Sequence, residues 1–294
     1  MSLGTVNNVM KKLREEGLAQ CDGGFTLLPA GEAALAPYKV ANAIIIMTAG
    51  MSSRFVPLSY EKPKDVLRVQ GEVLIERQIR QLQEAGIDDI TVVVGYMKEA
   101  FFYLEDKFGV KIRVNEQYVS RNNNSTLMLV REQLGNTYIC SSDDYFTENV
   151  FRPYVYEAYY AATYFPGKTD EYCMKMACDG RITCVTVGGT DAWAMMGHVY
   201  FDRAFSETFR RVLKEDYSKP ETAPKLWEDI YIDHIKELRT VMKPYADGVV
   251  YEFAITTPST CARPCRSSAR CTIAARNRVG ASTLWARRAT SLSC

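Results

Sequence analysis

The chain has 294 residues, with 36 Lys and Arg against 35 Asp and Glu and 47% hydrophobic residues, enough for one large core and a small appendage. Intrinsic disorder and collagen-like architecture are excluded. The longest apolar run, around Ile44-Ile45-Ile46-Met47, falls far short of the roughly 20 residues that cross a bilayer, and no charged-then-apolar leader is read, so a cytoplasmic protein with no membrane partner is expected.

Charge is unevenly placed. Residues 254–294 hold seven Arg and no Lys, Asp or Glu, which leaves residues 1–253 at net −6. No nucleic-acid partner is expected for such a body. Four of the nine Cys (Cys261, Cys265, Cys271, Cys294) lie in the tail without a His, so free thiols are expected rather than a zinc site or a disulfide framework.

In chain order, Thr5–Leu18 carries Val6, Val9, Met10 and Leu13 at helical spacing, Gly17 stops it, and Gly23-Gly24 separates two short extended pieces. Residues 1–39 resemble the recognition helix and wing of a winged-helix domain without its preceding helices, and are read as a docking appendage. From Ala41 the pattern changes. AIIIM predicts a buried strand, Glu72–Ala85 a helix with Ile75, Ile79 and Leu82 on one face, and TVVVG a second buried strand. Lys111–Asn115 reads as a strand, Asn124–Leu134 as a helix, and Thr137–Cys140 as a strand ending in Ser141-Ser142-Asp143-Asp144. Further on come extended segments Arg181–Val187 and Trp193–Phe201, helices near Asp202–Asp216 and Trp227–Leu238, and a last strand, Val249–Phe253. Such alternation predicts an α/β fold with a mixed, mostly parallel sheet and helices on both faces. Ligands of open α/β sheets bind beyond the carboxyl ends of the strands. The Gly50 turn, Gly95-Tyr96 and Asp143-Asp144 all fall there.

The turn Thr48-Ala49-Gly50-Met51-Ser52-Ser53-Arg54-Phe55 follows a buried strand, so its N–H groups can face an anion, with Arg54 and, ten residues on, Lys64 supplying positive charge. AGMSSRFVPLSYEKPK matches the A-G-x-x-S-R-x-x-P motif, followed by Pro-Lys, of nucleotidyltransferases that activate sugar or alcohol phosphates with an NTP. The wider run, GEVLIERQIRQLQEAGIDDITVVVGYMKE, NEQYVSRNNNST, the acidic strand end and WEDIYIDHIKEL, resembles the CTP:phosphocholine cytidylyltransferases of bacteria over about residues 41–253.

The resemblance implies a Rossmann-like fold of the nucleotide-diphospho-sugar transferase type over residues 40–253, CTP and phosphocholine as substrates, and Mg2+ as cofactor. It implies that Ala49, Gly50, Met51, Ser52, Ser53 and Arg54 form the phosphate loop, that Lys64 neutralises phosphate charge, and that Gly95, Tyr96, Asn124 and Ser125 contact the nucleoside. Asp143 takes the position of a metal-binding aspartate, with Glu228 or Asp229 as the second carboxylate. Ser52, where relatives carry a second Gly, and Asp65 beside Lys64 depart from the pattern. A quaternary ammonium is held best by aromatic faces, and Tyr172, Trp193, Trp227 and Tyr231 are the candidate wall. His198 and His234 are assigned no catalytic role. Oligomeric state is left open, a homodimer included. Residues 254–294 are read as an aberrant basic tail, of frameshift origin and poorly ordered, the alternative being a true basic tail. Two other functional readings are a sugar-1-phosphate nucleotidyltransferase and a nucleotide-sensing DNA-binding regulator.

Overall fold

The computed structural model describes residues 2–20, 24–47, 63–66, 68–69, 71–253 and 275–276. Helix α1 (Leu3–Glu15) starts at Ser2, whose hydroxyl accepts the Thr5 N–H. Strands β1 (Ala19–Gln20) and β2 (Thr26–Leu27) pair antiparallel, and α2 (Pro29–Leu35), absent from the sequence-based expectation, follows with Pro at its start. The segment joins the main body through backbone: Val40 N–H donates to Pro153 O, Ala41 N–H to Asn136 O, and the Asn136 amide to the carbonyls of Pro37 and Lys39.

The main body runs β3 (Asn42–Ile46), β4 (Arg68–Val69), β5 (Glu72–Val73), α3 (Leu74–Glu84), β6 (Ile90–Val94), α4 (Tyr103–Phe108), β7 (Lys111–Val114), α5 (Asn124–Leu129), β8 (Thr137–Ser141) and β9 (Asp144–Phe146). It continues with β10 (Tyr159–Met176), β11 (Ile182–Phe201), α6 (Arg203–Tyr217), α7 (Trp227–Asp233), β12 (Val241–Tyr245) and β13 (Val250–Phe253), and β14 (Ala275–Arg276) lies in the tail. Seven strands form the main sheet in the order β12-β10-β11-β8-β3-β6-β7. Only the pairings of β11 are antiparallel, so the sheet is mixed and mostly parallel, as the alternating pattern predicts.

Alternation along the strands splits the core into two layers, because successive side chains leave opposite faces. Ala43, Ile45 and Met47 of the β3 segment join Val92, Val94, Tyr138 and Cys140 and pack against Ile75, Ile79 and Leu82 of α3 and Leu104 of α4. Ile44 and Ile46 face the other way with Val93 and Ile139, against Leu127 of α5, Phe205, Phe209 and Leu213 of α6, and Trp227, Ile230 and Tyr231 of α7. Helices therefore cover both faces.

Three elements differ from the sequence reading. The helix expected over Asn124–Leu134 ends at Leu129, because Val130 (φ −107°) leaves the helical region and a separate turn, Arg131–Gln133, lets Val130 and Leu134 both reach the core. The helix expected over Trp227–Leu238 ends at Asp233, and His234 (φ −109°) closes it. Two extended segments prove to be one strand, β11, paired with a strand that the pattern hid. The root of β10, residues 159–163, is buried on both faces and its outer part is largely exposed, so no period of two is visible. Beyond that root the β10–β11 ribbon curls back. Cys173 and Met174 face Thr186 and Val185 on one side and Ala194 and Trp193 on the other.

Candidate active site

The carboxyl ends of β3, β6 and β8 lie side by side. Ile46 pairs with Val93 and Ser141, Met47 N–H donates to Val93 O, and Ser142 N–H donates to Ile46 O. The phosphate-loop residues Ala49, Gly50, Met51, Ser52, Ser53 and Arg54, which follow β3, lie outside the described residues. Lys64 opens a single 3-10 turn, Lys64–Val66, in which Asp65 is buried. The Ser142 hydroxyl donates to Asp65 Oδ1 at 2.7 Å. Asp65 therefore ties the Lys64 turn to the acidic end of β8, a structural duty that accounts for an acid at that position.

At the end of β6, a Cβ on Gly95 would lie 3.0–3.2 Å from the Tyr118 side chain, so a larger residue there would require Tyr118 to give way by a few tenths of an ångström. Tyr96 is half-buried beside it. Asn124 and Ser125, expected among the nucleoside contacts, sit within the protein's own hydrogen-bond network. Both are buried with their donors used inside the protein: Asn124 Nδ2 donates to Thr222 O and Lys225 O, and Ser125 Oγ donates to Asn122 O and accepts from Asn115 Nδ2. The run of three asparagines is a clamp on residues 222–228. Asn122 Nδ2 donates to Pro224 O. Asn123 accepts the Trp227 N–H at 2.7 Å and donates to Glu228 Oε2 at 3.1 Å. Sequence reasoning passed over Asn123, although three adjacent amide side chains are the signature of a loop that satisfies another segment's backbone.

Glu228 and Asp229 open α7, and the structure separates them. Asp229 Oδ2 accepts the Leu226 N–H at 2.8 Å, half of a capping box, and its Oδ1 accepts the Tyr172 hydroxyl at 2.8 Å. Glu228 is pushed up to about 7, mainly by burial and in smaller part by the Asp229 charge, against hydrogen bonds from its own N–H and from Asn123. Tyr160, buried on β10, stacks on Trp227 at the start of α7, and burial raises its hydroxyl well above the ordinary value, with the charge of Glu228 adding to the rise. Gly197 of β11 brings its backbone against Ser141 and Asp144 so closely that a Cβ would stand 2.4 Å from Ser141 Oγ.

The four aromatic candidates divide. Trp227 and Tyr231 are core residues, a correction to their place in the wall: Trp227 stacks on Tyr160 and meets Phe201 and Phe209 edge-on, and the Tyr231 hydroxyl is held by Thr240. Tyr172 and Trp193 are partly exposed on the ribbon. Tyr164, missed in the sequence, pairs with Trp193 across the strands and meets its ring edge-on at 5.4 Å. His198 is fully buried, with Nε2 3.0 Å from the Tyr159 hydroxyl, and burial holds its pKa well below the ordinary value. Among the described residues no group of three or more His, Cys, Asp or Glu is placed to hold a metal, and no helix is long and apolar enough to cross a membrane. Cys140, Cys173, Cys178 and Cys184 are free thiols.

Residues 44–149, which include most of β3, all of β6, β7 and β8, and the acidic strand end, match the family model of the MobA-like NTP transferase domain, a class of nucleotidyltransferase. The chain is 32% identical to the choline-phosphate cytidylyltransferase of Streptococcus pneumoniae over 208 residues, 71% of this chain and 91% of that one. It is 33% identical to the 2-aminoethylphosphonate cytidylyltransferase of Lancefieldella rimae over 204 residues, 68% of this chain and 83% of that one. The solved structure of the Streptococcus pneumoniae CTP:phosphocholine cytidylyltransferase superposes with a TM-score of 0.70 at 31% identity, covering 72% of this chain and 93% of that chain. The protein belongs to the cytidylyltransferase family of nucleotidyltransferases.

Proposed function

We propose that the protein transfers a cytidylyl group from CTP to phosphocholine, forming CDP-choline and releasing pyrophosphate. The observation that supports this reading is the hydrogen bond that ties the partly exposed ring of Tyr172 to Asp229, next to Glu228 at the start of α7. It sets an aromatic ring beside an acidic pair, in a chain similar to the streptococcal enzyme over 71% of its length.

The attacking atom is a phosphate oxygen. A phosphomonoester has its second pKa near 6 and is largely dianionic at neutral pH, so no catalytic base is needed. The protein's task is to align that oxygen with the α-phosphorus opposite the leaving pyrophosphate and to offset the developing charge. Arg54 and Lys64 are assigned to the phosphates, and Gly95 and Tyr96 to the nucleoside. Asp143 and Glu228 fit a hard divalent cation: both offer carboxylate oxygens, Mg2+ needs few protein ligands, and a Glu raised toward neutrality by burial regains its charge beside a cation. Glu228 is preferred to Asp229 in that pair because both Asp229 oxygens already accept protein donors. Mg2+, when bound, draws charge from the triphosphate oxygens. Tyr172 and Trp193, with Tyr164 behind, form the face for the quaternary ammonium.

Pyrophosphate release is the test, measured with each NTP and with phosphocholine, phosphoethanolamine, 2-aminoethylphosphonate and hexose 1-phosphates, with and without Mg2+. CTP with phosphocholine is expected to be fastest and to need the metal. Preference for a hexose 1-phosphate would instead favour the sugar-nucleotide reading.

A further inference from the structure

Tyr172 and Asp229 are 57 residues apart in sequence, and their contact at 2.8 Å joins the curled part of the ribbon to the first turn of α7. The phenol is the donor: burial, then the bond to Asp229, pushes its pKa up to about 12, so the proton stays on the ring oxygen at neutral pH. The carboxylate is itself fixed, because its second oxygen accepts the Leu226 N–H and α7 is held from outside by Asn123. A phenol that donates to an anion is polarised toward its oxygen and ring, and the attraction of a cation to an aromatic face grows with the negative charge on that face. We propose that Asp229 is a positioning residue for the ammonium end of the substrate, fixing the plane of the Tyr172 ring and enriching its face through the hydroxyl bond while making no contact with metal or nucleotide. This deepens the reading above, on which it rests for the presence of an ammonium-bearing substrate.

The fold gives the arrangement a reason. Tyr172 packs against the core only in part, and the bond from its hydroxyl to a capped helix start adds a second restraint on the angle of the ring. The two acids of α7 thereby take different partners: Glu228 bonds to Asn123 and Asp229 to Tyr172.

The test uses the full chain with Tyr172→Phe, Asp229→Asn and the double variant. Each single change is expected to raise the KM for phosphocholine about tenfold, the size of one lost charge-assisted bond, with KM for CTP and kcat moved far less. The double variant should be no worse than the weaker single variant, since both remove one interaction. Multiplied effects, or a KM for CTP that rises in step, would overturn the assignment. Should Asp229→Asn fail to fold, Tyr172→Phe decides, because it keeps the ring and has no capping role. Choline binding by calorimetry separates the two levels. Wild-type protein that binds choline but does not turn over phosphocholine contradicts the proposed reaction alone, whereas equal choline affinity in wild type and Tyr172→Phe contradicts the role of Asp229.

Discussion

Gly197→Ala probes how β11 supports the acidic strand end. Gly197 precedes His198, which pairs with Cys140 of β8, so its Cα faces the last residue of that strand. A methyl carbon there would lie 2.4 Å from Ser141 Oγ, 2.6 Å from Ser141 Cβ and 3.0 Å from Asp144 Oδ2. Carbon atoms in contact sit about 3.5–4.0 Å apart, so Ser141 must retreat by about 1 Å. It cannot do so alone, because Ser141 O accepts from Gln78 and the next residue, Ser142, bonds to Ile46 O and Asp65. Overpacking of this kind costs about 1–3 kcal/mol, and a shift of about 1 Å passed to Asp143 should lower turnover about a hundredfold. Urea unfolding gives the first quantity and pyrophosphate release from CTP the second. Gly135→Ala is the control: its added carbon meets nothing within 4 Å, and both measurements should stay near wild type. Wild-type turnover and stability in Gly197→Ala would refute the reasoning.

Asp143→Asn should lower metal-dependent turnover by about a hundredfold or more; an unchanged Mg2+ titration would remove Asp143 from the site. Trp227→Ala should cost about 3–5 kcal/mol of stability as a core deletion, whereas Trp193→Ala should cost less and act mainly on the KM for phosphocholine, a contrast read from paired unfolding and kinetic curves. Lys243 lies 4.3 Å from the Tyr159 ring centre, and burial, then the Arg152 charge, lowers its pKa from 10.5 to about 8. A lysine depressed by folding weakens the fold below pH 8, and that loss is recovered as pH rises through about 8 to 10.5. Lys243→Met is therefore expected to be more stable than wild type at pH 7 by about 1–3 kcal/mol, net of the lost ring contact. The difference should shrink by pH 10.5, and one that stays constant with pH would contradict the cause given.

The parallel half of the fold was readable because its strands are buried on both faces and its helices are amphipathic: Ile44 to Ile46, Val92 to Val94, and Ile75, Ile79 and Leu82 lie where their spacing puts them. The ribbon was not, because Tyr159 to Thr163 show no alternation and the outer residues pair with two partners at once. In the site, sequence alone favoured Glu228 and kept Asp229 as the alternative. What separates them is the partner each meets, Asn123 or Tyr172, and those lie 105 and 57 residues away in the chain. Trp227 and Tyr231 share a helical stripe, and periodicity cannot say whether a stripe faces a ligand or a neighbouring helix. The asparagine run meets a related limit: a polar triplet near a strand end suits either a ligand or another loop's carbonyls.

The reversed direction of β11 governs where chemistry can diversify. Because β10 climbs alongside β8 and β11 descends between them, the hairpin joining them must emerge at the same rim as Asp143, while nothing in it threads back through β3 or β6. Residues 164–193 can therefore change in length or composition without rerouting the strands that carry the acidic end of β8.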